Sequence, residues 1–182
     1  MRRLAWVLIG GLLACLSVNA ADDKGTVIPF DNLKSTIPAS WKESTEKKPL
    51  RWKTFIVPHA KGDEADADLA LFMGLSGSKK ENLARWQGQF DPPEGKKIED
   101  ATKVEELKVA GCEVMYVDIQ GTYFDGPPML PKARKKKLPN YRLLAVQFEG
   151  PDNTYHIKLI GPARTIAEHK KGFEDWIKGF KK

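Results

Sequence analysis

The chain is poor in cysteine and in histidine, and these shortages argue against internal disulfides and against metal sites. It contains two cysteines, Cys15 and Cys112. Because Cys15 falls in the leader described below, Cys112 has no partner for an internal disulfide. Its apolar, strand-like surroundings favour a buried thiol over a nucleophile. The three histidines, His59, His156 and His169, share no metal-ligand spacing, so the sequence indicates neither a metal site nor a resident cofactor.

Recognisable catalytic motifs are also lacking. The run from Gly74 to Ser78 approaches the G-x-S-x-G nucleophile elbow, but serine stands where the last glycine is needed. Strand alternation places His156 on the face opposite its two apolar neighbours, which predicts an exposed side chain. His169 adjoins an apolar helical stripe and is predicted to be a structural histidine. No residue set therefore points to a reaction.

A long apolar run occurs once, at the start of the chain. Leu4 to Leu16 is shorter than the roughly 20 residues that span a bilayer. It follows a short cationic start and precedes Val18-Asn19-Ala20, which is the order of a secretory signal peptide cut before Ala21. The alternative is a bacterial lipobox ending at Cys15, whose thiol would be lipidated. Both interpretations predict an exported protein, periplasmic or extracellular, and the second adds a lipid anchor.

Excess charge is small once the leader is set aside. The whole chain carries +6, and loss of Arg2 and Arg3 lowers this to +4. Such a mild balance, together with export, argues against a nucleic-acid partner. Residues 1–20 are therefore predicted to be a signal peptide, and 21–182 a single α+β domain.

Alternating apolar residues predict about six or seven strands. Most are joined by short turns, such as Ala110-Gly111 and the cluster 150–153, so the pairing is expected to be mostly antiparallel. The strand-like runs are 33–44, 50–57, 67–75, 104–109, 112–124, 141–150 and 154–161.

Two helices are predicted between and after these strands, at 79–90 and 165–180. Ser78 with Glu81, and Thr165 with Glu168, have the S-x-x-E spacing of a capping box. Each helix carries an apolar stripe, with Trp86 on the first and Phe173 on the second, and each stripe should face the sheet. The expected fold is thus a single mostly antiparallel sheet with helices packed on it.

Two candidate binding surfaces surround the first helix. Asn82, Arg85 and Gln89 lie off its apolar stripe and are predicted to face solvent or a neighbouring edge, as a candidate contact surface of the helix. A glycine turn also leads into the helix, where free amides and two lysines favour an anion such as phosphate or carboxylate. This candidate anion site comprises Gly77, Ser78, Lys79 and Lys80.

The acidic run 63–68 has two interpretations. Its carboxylates, from Asp63, Glu64, Asp66 and Asp68, are the oxygen ligands that calcium prefers. The run lacks the EF-hand pattern, however, so a solvated hairpin tip is favoured and no metal site is predicted.

The segment 125–140 is the most unusual part of the chain. Four prolines bracket five cations, a composition that keeps a chain extended and exposed. We call the five cations the basic segment, and it is predicted to lie in a long loop that contacts anionic lipid, polysaccharide or an acidic partner. The alternative is a solvated connector. The basic segment comprises Lys132, Arg134, Lys135, Lys136 and Lys137.

Three short motifs carry a resemblance to known proteins. N-x-x-R-W-x-x-Q-F at 82–90, G-T-Y at 121–123 and K-L-x-G-P at 158–162 resemble a group of uncharacterised secreted bacterial proteins over most of residues 25–182. The order of strands and helices resembles, more loosely, the Mog1/PsbP-like fold. That resemblance implies an antiparallel sheet between helices and a tendency toward accessory or binding roles, and it brings no catalytic residues.

These observations favour a non-enzymatic binding or accessory module of the cell envelope. Its expected partner is an envelope protein or an anionic surface, including peripheral contact with a membrane. The alternative is a small hydrolase or ligand-processing enzyme with a site that no known motif reveals.

Overall fold

The fold is built on an antiparallel sheet of eight strands with one helix on each face. The computed structural model describes residues 25–127 and 130–182. The predicted signal peptide, its cleavage site and Cys15 lie outside the described residues. Within the described ranges, no helix is long and apolar enough to cross a membrane.

The elements follow one another from a small hairpin at the start to a long helix at the end. A short 3-10 helix, Lys132–Arg134, precedes the ninth strand. In chain order they are β1 (Val27–Phe30), β2 (Leu33–Thr36), β3 (Lys42–Glu43), β4 (Lys53–Val57), β5 (Ala67–Met73), α1 (Lys79–Gln87), β6 (Phe90–Asp91), β7 (Thr102–Val109), β8 (Cys112–Asp125), β9 (Lys136–Glu149), β10 (Thr154–Pro162) and α2 (Ala163–Lys178).

The main sheet has the order β3-β4-β5-β10-β9-β8, and β6 and β7 both pair with β8. Strands β1 and β2 form a separate hairpin. The α+β class and the antiparallel pairing are confirmed, but the sheet is larger than the six or seven strands expected. Strands β3 and β6 have two residues each, which is too short for a periodic signal.

The predicted hairpin turns are confirmed. Between β7 and β8, Ala110 and Gly111 both have positive φ, +51° and +88°, as a two-residue turn that matches the strand twist requires. Strands β9 and β10 pair from Glu149 and Thr154 onward, which places the Gly150–Asn153 cluster at their turn.

Helix α2 packs on one face and buries Phe173, Trp176 and Ile177 in the larger core cluster. It begins at Ala163, two residues earlier than predicted, and the Thr165–Glu168 capping box is not formed. Thr165 lies inside the helix, and both its backbone N–H and its hydroxyl donate to Asp63 Oδ2, at 3.0 and 2.7 Å. A carboxylate far away in sequence therefore accepts the hydrogen bonds at the start of this helix.

Helix α1 packs on the opposite face. Its predicted capping box is present, since Ser78 Oγ accepts from the Glu81 amide and the Glu81 carboxylate accepts from the Ser78 amide. Trp86 is 3% exposed and joins a smaller core cluster with Met115 and Val117 of β8. With nine residues, α1 is shorter than predicted, and it leaves part of the face over β4, β5 and β10 open.

Candidate functional site: a cleft on the open face of the sheet

The open part of this face forms a cleft with two connected halves. The half beside α1, called the α1 half, has a volume of about 380 Å³. The other, called the distal half, has a volume of about 320 Å³. Phe72 of β5, Tyr123 of β8 and Lys158 of β10 line both halves, so the three side chains mark the centre of the cleft.

Lys158 lies on the floor of the cleft because strand alternation turns it toward the α1 side. The residues directly across from it are Ala70 on β5 and Ala145 on β9, and both small side chains are buried. Its Nζ donates a hydrogen bond of 2.7 Å to Gln89 Oε1. Burial, reinforced by the charge of Arg51, lowers the pKa of Lys158 to about 8.

The α1 half carries positive charge without negative charge. Arg85, Lys135 and Lys158 line it, and no Asp or Glu among the described residues does. Its apolar walls include Leu75 and Trp86. This half of the cleft is therefore suited to a ligand with an anionic group and an apolar part.

The distal half is balanced in charge. Arg51 and Asp68 form a bidentate salt bridge there, with NH1 at 2.8 Å from Oδ1 and NH2 at 2.7 Å from Oδ2. Asp125 also lines the wall. Burial and the charge of Asp125 raise the pKa of Tyr123 to about 12, so the tyrosine is a neutral hydroxyl at physiological pH.

A buried polar cluster lies where α1 meets the sheet. Asn82 Nδ2 lies 2.9 Å from Gln147 Oε1 and 3.0 Å from His156 Nε2. The same Asn82 nitrogen lies 3.1 Å from Gly77 O, so its two hydrogens are shared among three acceptors. Because an amide nitrogen cannot accept, Nε2 of His156 is the acceptor and the ring proton resides on Nδ1. Within the described part of the chain, that Nδ1 has no hydrogen-bond partner. Burial lowers the pKa of His156, so the ring is neutral.

This cluster corrects two expectations. His156 and Asn82 were expected at the surface, but they are 4% and 1% exposed. Helix α1 covers the histidine, and the asparagine points between helix and sheet. Of the other predicted helix-face residues, Arg85 is exposed and donates to Asn82 Oδ1 at 2.8 Å, and Gln89 is half-buried and binds Lys158. All three side chains thus line the α1 half rather than an open helix surface.

The turn proposed as an anion site is occupied by its own contacts. Both the amide and the hydroxyl of Ser78 lie 2.8 Å from Glu81 Oε2. Lys79 Nζ donates to Glu106 and Glu113, at 2.9 and 3.3 Å. A carboxylate at the helix start and a neutralised lysine disfavour an anion there.

The basic segment is not the long unpacked loop that was expected. Lys136 and Lys137 begin strand β9 and pair with the end of β8. Lys132 Nζ donates to Phe90 O and Asp91 Oδ1, both at 2.9 Å. Lys135 lines the α1 half of the cleft, and Arg134 stays exposed. The segment therefore forms a rim beside the cleft.

The carboxylates of the acidic run mostly serve structural contacts. Asp63 binds the start of α2, Asp66 Oδ1 lies 2.6 Å from His59 Nδ1, and Asp68 pairs with Arg51. Within residues 25–127 and 130–182, no group of three or more His, Cys, Asp or Glu side chains is placed to hold a metal ion.

His169 and Cys112 have structural surroundings. His169 Nδ1 accepts from Trp41 Nε1 at 3.3 Å, so its Nε2 carries the proton and donates to Pro58 O at 2.8 Å. The prediction of a structural histidine is confirmed. Cys112 is half-buried, and burial raises the pKa of its thiol, which disfavours the reactive thiolate.

The sequence motifs include Lys158 and Tyr123, but neither these residues nor Phe72 was predicted to form a site. A signal for the lysine was present, because Lys158 interrupts the apolar strand run 154–161, where a cation is unusual unless it has a partner or a role. Phe72 gave no comparable signal, since aromatic residues are ordinary in strands.

Comparison with known proteins adds little about function. No protein-family model and no curated protein matches the chain. It is similar to the crystal structure of PA94, a protein of unknown function from Pseudomonas aeruginosa, with 13% identity and a TM-score of 0.46, over 84% of this chain and 93% of that one. It is also similar to cyanobacterial PsbP (CyanoP) from Synechocystis sp. PCC 6803, with 11% identity and a TM-score of 0.48, over 90% and 95% of the two chains. Likeness this weak carries no argument about function.

Proposed function

We propose that the protein is a non-enzymatic binding module of the cell envelope and that the cleft is its binding surface. The observation that carries the proposal is Lys158, an ammonium on the floor of an open cleft, with no carboxylate of the described chain within 4.0 Å. A half-buried charge held only by an amide is costly for stability. Such a cost is typical of a functional site.

Two further expectations belong to this proposal. A helix on each face of an antiparallel sheet supports the Mog1/PsbP-like architecture that the order of strands and helices suggests. The expected export favours an envelope partner, and the leader predicts a protein that starts at Ala21. Intact-mass measurement of the exported protein tests this, because a species that starts at Cys15 with added acyl mass would identify a lipoprotein instead.

The basic segment supports the cleft rather than competing with it. Lys132 and Lys137 lie over the Phe124 ring, at 4.9 and 5.9 Å from its centroid, and Lys135 lines the cleft wall. Cations on the rim raise the local concentration of an anionic partner before it enters. The segment is therefore proposed to guide an acidic partner or anionic surface toward the cleft.

Photo-crosslinking from single positions tests where the partner binds. Leu50 lines the α1 half and is 78% exposed, whereas Val27 lies on the β1–β2 hairpin and is 54% exposed. With p-benzoylphenylalanine at Leu50, we expect a discrete crosslinked species in intact cells, and none with the same group at Val27. Equal labelling from both positions, or labelling only from a third variant at Lys136, would contradict the proposal.

The enzymatic alternative rests on one observation. An amine with a pKa near 8 is in part neutral at physiological pH, and lysines of this kind form Schiff bases with carbonyl substrates. Borohydride reduction in the presence of an aldehyde distinguishes the two functions. A stoichiometric mass increase at Lys158, absent from a Lys158→Met variant, would favour a ligand-processing enzyme.

A further inference from the structure

We propose that the α1 half of the cleft binds an amphipathic organic monoanion, with its anionic oxygens at Lys158 and its apolar body against Phe72 and Trp86. This inference rests on the proposed function, since it names the ligand class of the same cleft. It follows from the position of Lys158 in the cleft, the sign of the charge and the apolar lining.

Strand register places the lysine at the centre of the cleft. Across three neighbouring strands, Ala70, Lys158 and Ala145 stand side by side, and Thr54 of β4 continues the row. Ala145 is packed in the core under α1, and Ala70 lines the distal half. Lys158 itself lines both halves, so its ammonium is reachable from the cleft while its stem lies on the sheet.

The charge of the α1 half selects an anion. Its three cations, Arg85, Lys135 and Lys158, have no carboxylate beside them in the lining. The distal half instead contains Asp125 and the paired Asp68. An extended polyanion that crossed both halves would meet these carboxylates, so the charge pattern favours a ligand whose negative charge is confined to one end.

Arg85 supplies a second donor group beside the lysine. It is exposed and lines the same α1 half. His156 also lies beside Lys158, two residues earlier on the same face of β10. The histidine is 4% exposed and its Nδ1 is itself buried, so the guanidinium rather than the imidazole is placed to meet a ligand carboxylate.

The apolar lining accounts for the rest of the ligand. Phe72, Leu75 and Trp86 line the same half as the three cations, and its volume of about 380 Å³ is within the range of pockets that hold small organic molecules. Inorganic phosphate or acetate would leave this apolar surface uncovered. A medium-chain carboxylate satisfies both the cations and the walls.

Titration calorimetry with sodium decanoate, below its micelle concentration, tests the inference. Decan-1-ol, decylammonium chloride and sodium acetate serve as the uncharged, oppositely charged and truncated probes. We expect decanoate to bind at one site, and each other probe to bind about 10-fold or more weakly, the effect of losing one charge-assisted hydrogen bond or the apolar contacts. Equal affinity for decanoate and decan-1-ol would overturn the inference.

Three variants locate the site. Lys158→Met keeps the stem and removes the charge, and Phe72→Ala keeps the charge and removes part of the apolar wall. Both should weaken decanoate about 10-fold or more, whereas Lys108→Met, near the end of strand β7, should leave its affinity unchanged. Unchanged affinity in Lys158→Met would overturn the inference, and this variant remains informative if Phe72→Ala fails to fold.

Failure of this inference is distinguishable from failure of the proposed function. If decanoate does not bind but Leu50 still crosslinks to a discrete partner, the ligand class is wrong and the cleft remains the binding surface. If decanoate does not bind and Leu50 gives no specific product, both are overturned.

Discussion

The Nζ of Lys158 lies 2.7 Å from Oε1 of Gln89, so an ammonium on the central strand β10 is held by an amide just beyond α1. The groups that act on this charge come from several elements, including Arg51, Asp68, Arg85 and Asp125. Burial, together with the charges of Arg51 and Arg85, outweighs the two carboxylates and lowers the pKa of Lys158 to about 8. The cleft thus holds an ammonium that loses its proton more easily than an ordinary lysine does.

Lys158→Met should stabilise the protein, and the gain should depend on pH. The folded pKa of about 8 lies below the ordinary 10.5, so the folded state binds fewer protons between these values and wild-type stability rises with pH across that window. At pH 7 the full cost is present, and we expect a gain of about 1–3 kcal/mol in the free energy of unfolding.

Urea denaturation at pH 7 and pH 10 measures this gain, with Lys108→Met as the exposed control. The advantage of Lys158→Met should shrink by pH 10, because the wild-type amine is then neutral in the folded state. A gain of equal size at both pH values would contradict the assigned pKa.

Asp118→Asn should be strongly destabilising. Asp118 is 6% exposed, and Arg142 donates to it at 2.7 and 2.6 Å while Lys170 Nζ donates at 2.6 Å. The variant leaves Arg142 without its counter-charge and Lys170 with only Glu174 at 3.6 Å, which costs about 3 kcal/mol. Asp175→Asn is the matched control, because Asp175 pairs with Lys171 at the surface and should change stability by less than about 0.5 kcal/mol.

The same carboxylate should determine acid sensitivity. Burial alone would raise the pKa of Asp118, but the hydrogen bonds from Arg142 and Lys170 outweigh it and hold the pKa below 3.8. Its contribution is therefore present above the ordinary pKa and is lost as pH falls through the lowered one. Thermal unfolding at pH 6 and below about pH 3 should show a smaller pH effect in Asp118→Asn than in wild type; an equal effect would contradict this role.

Trp86→Ala should cost about 3–5 kcal/mol, because the indole is buried between α1 and the sheet. Leu50→Ala is the exposed comparison and should change stability by less than about 0.5 kcal/mol. Chemical denaturation measures both. A loss under about 1 kcal/mol for Trp86→Ala would mean that α1 is not packed as described.

Within the basic segment, removing the charge of Lys132 should lower the stability of the protein more than removing the charge of Arg134. Lys132 is anchored to Phe90 O and Asp91, so Lys132→Gln should cost up to about 1 kcal/mol. Arg134 is exposed, and Arg134→Gln should be nearly neutral. Melting temperatures of the two variants decide this, and equal losses would contradict the assignment of Lys132 as the anchored cation.

Local signals explain which parts of the fold could be predicted. The strands β5, β8, β9 and β10 carry clear alternation, and the Ser78–Glu81 spacing predicted a capping box that is present. The same spacing at Thr165 misled, because Asp63, 102 positions away, supplies the acceptor for that helix end. Sequence spacing cannot reveal a partner that only the tertiary fold brings near.

The cleft depends almost wholly on such distant partners. Ala70 and Ala145 become neighbours of Lys158 only through strand register, and His156 is buried only because α1 covers it. The sequence did bring Asn82, Arg85 and Gln89 together as one helix face, but the contacts of Asn82 and Gln89 with β10 follow from the way α1 lies on the sheet.

The most direct test of the account is the pKa of Lys158, measured by NMR titration of the lysine side chains and assigned with Lys158→Met. The account predicts a pKa near 8 in the free protein and a higher value with saturating decanoate, because a bound anion favours the protonated amine. A free-protein pKa near the ordinary 10.5, unchanged by decanoate, would contradict both the buried ammonium and the ligand assigned to it.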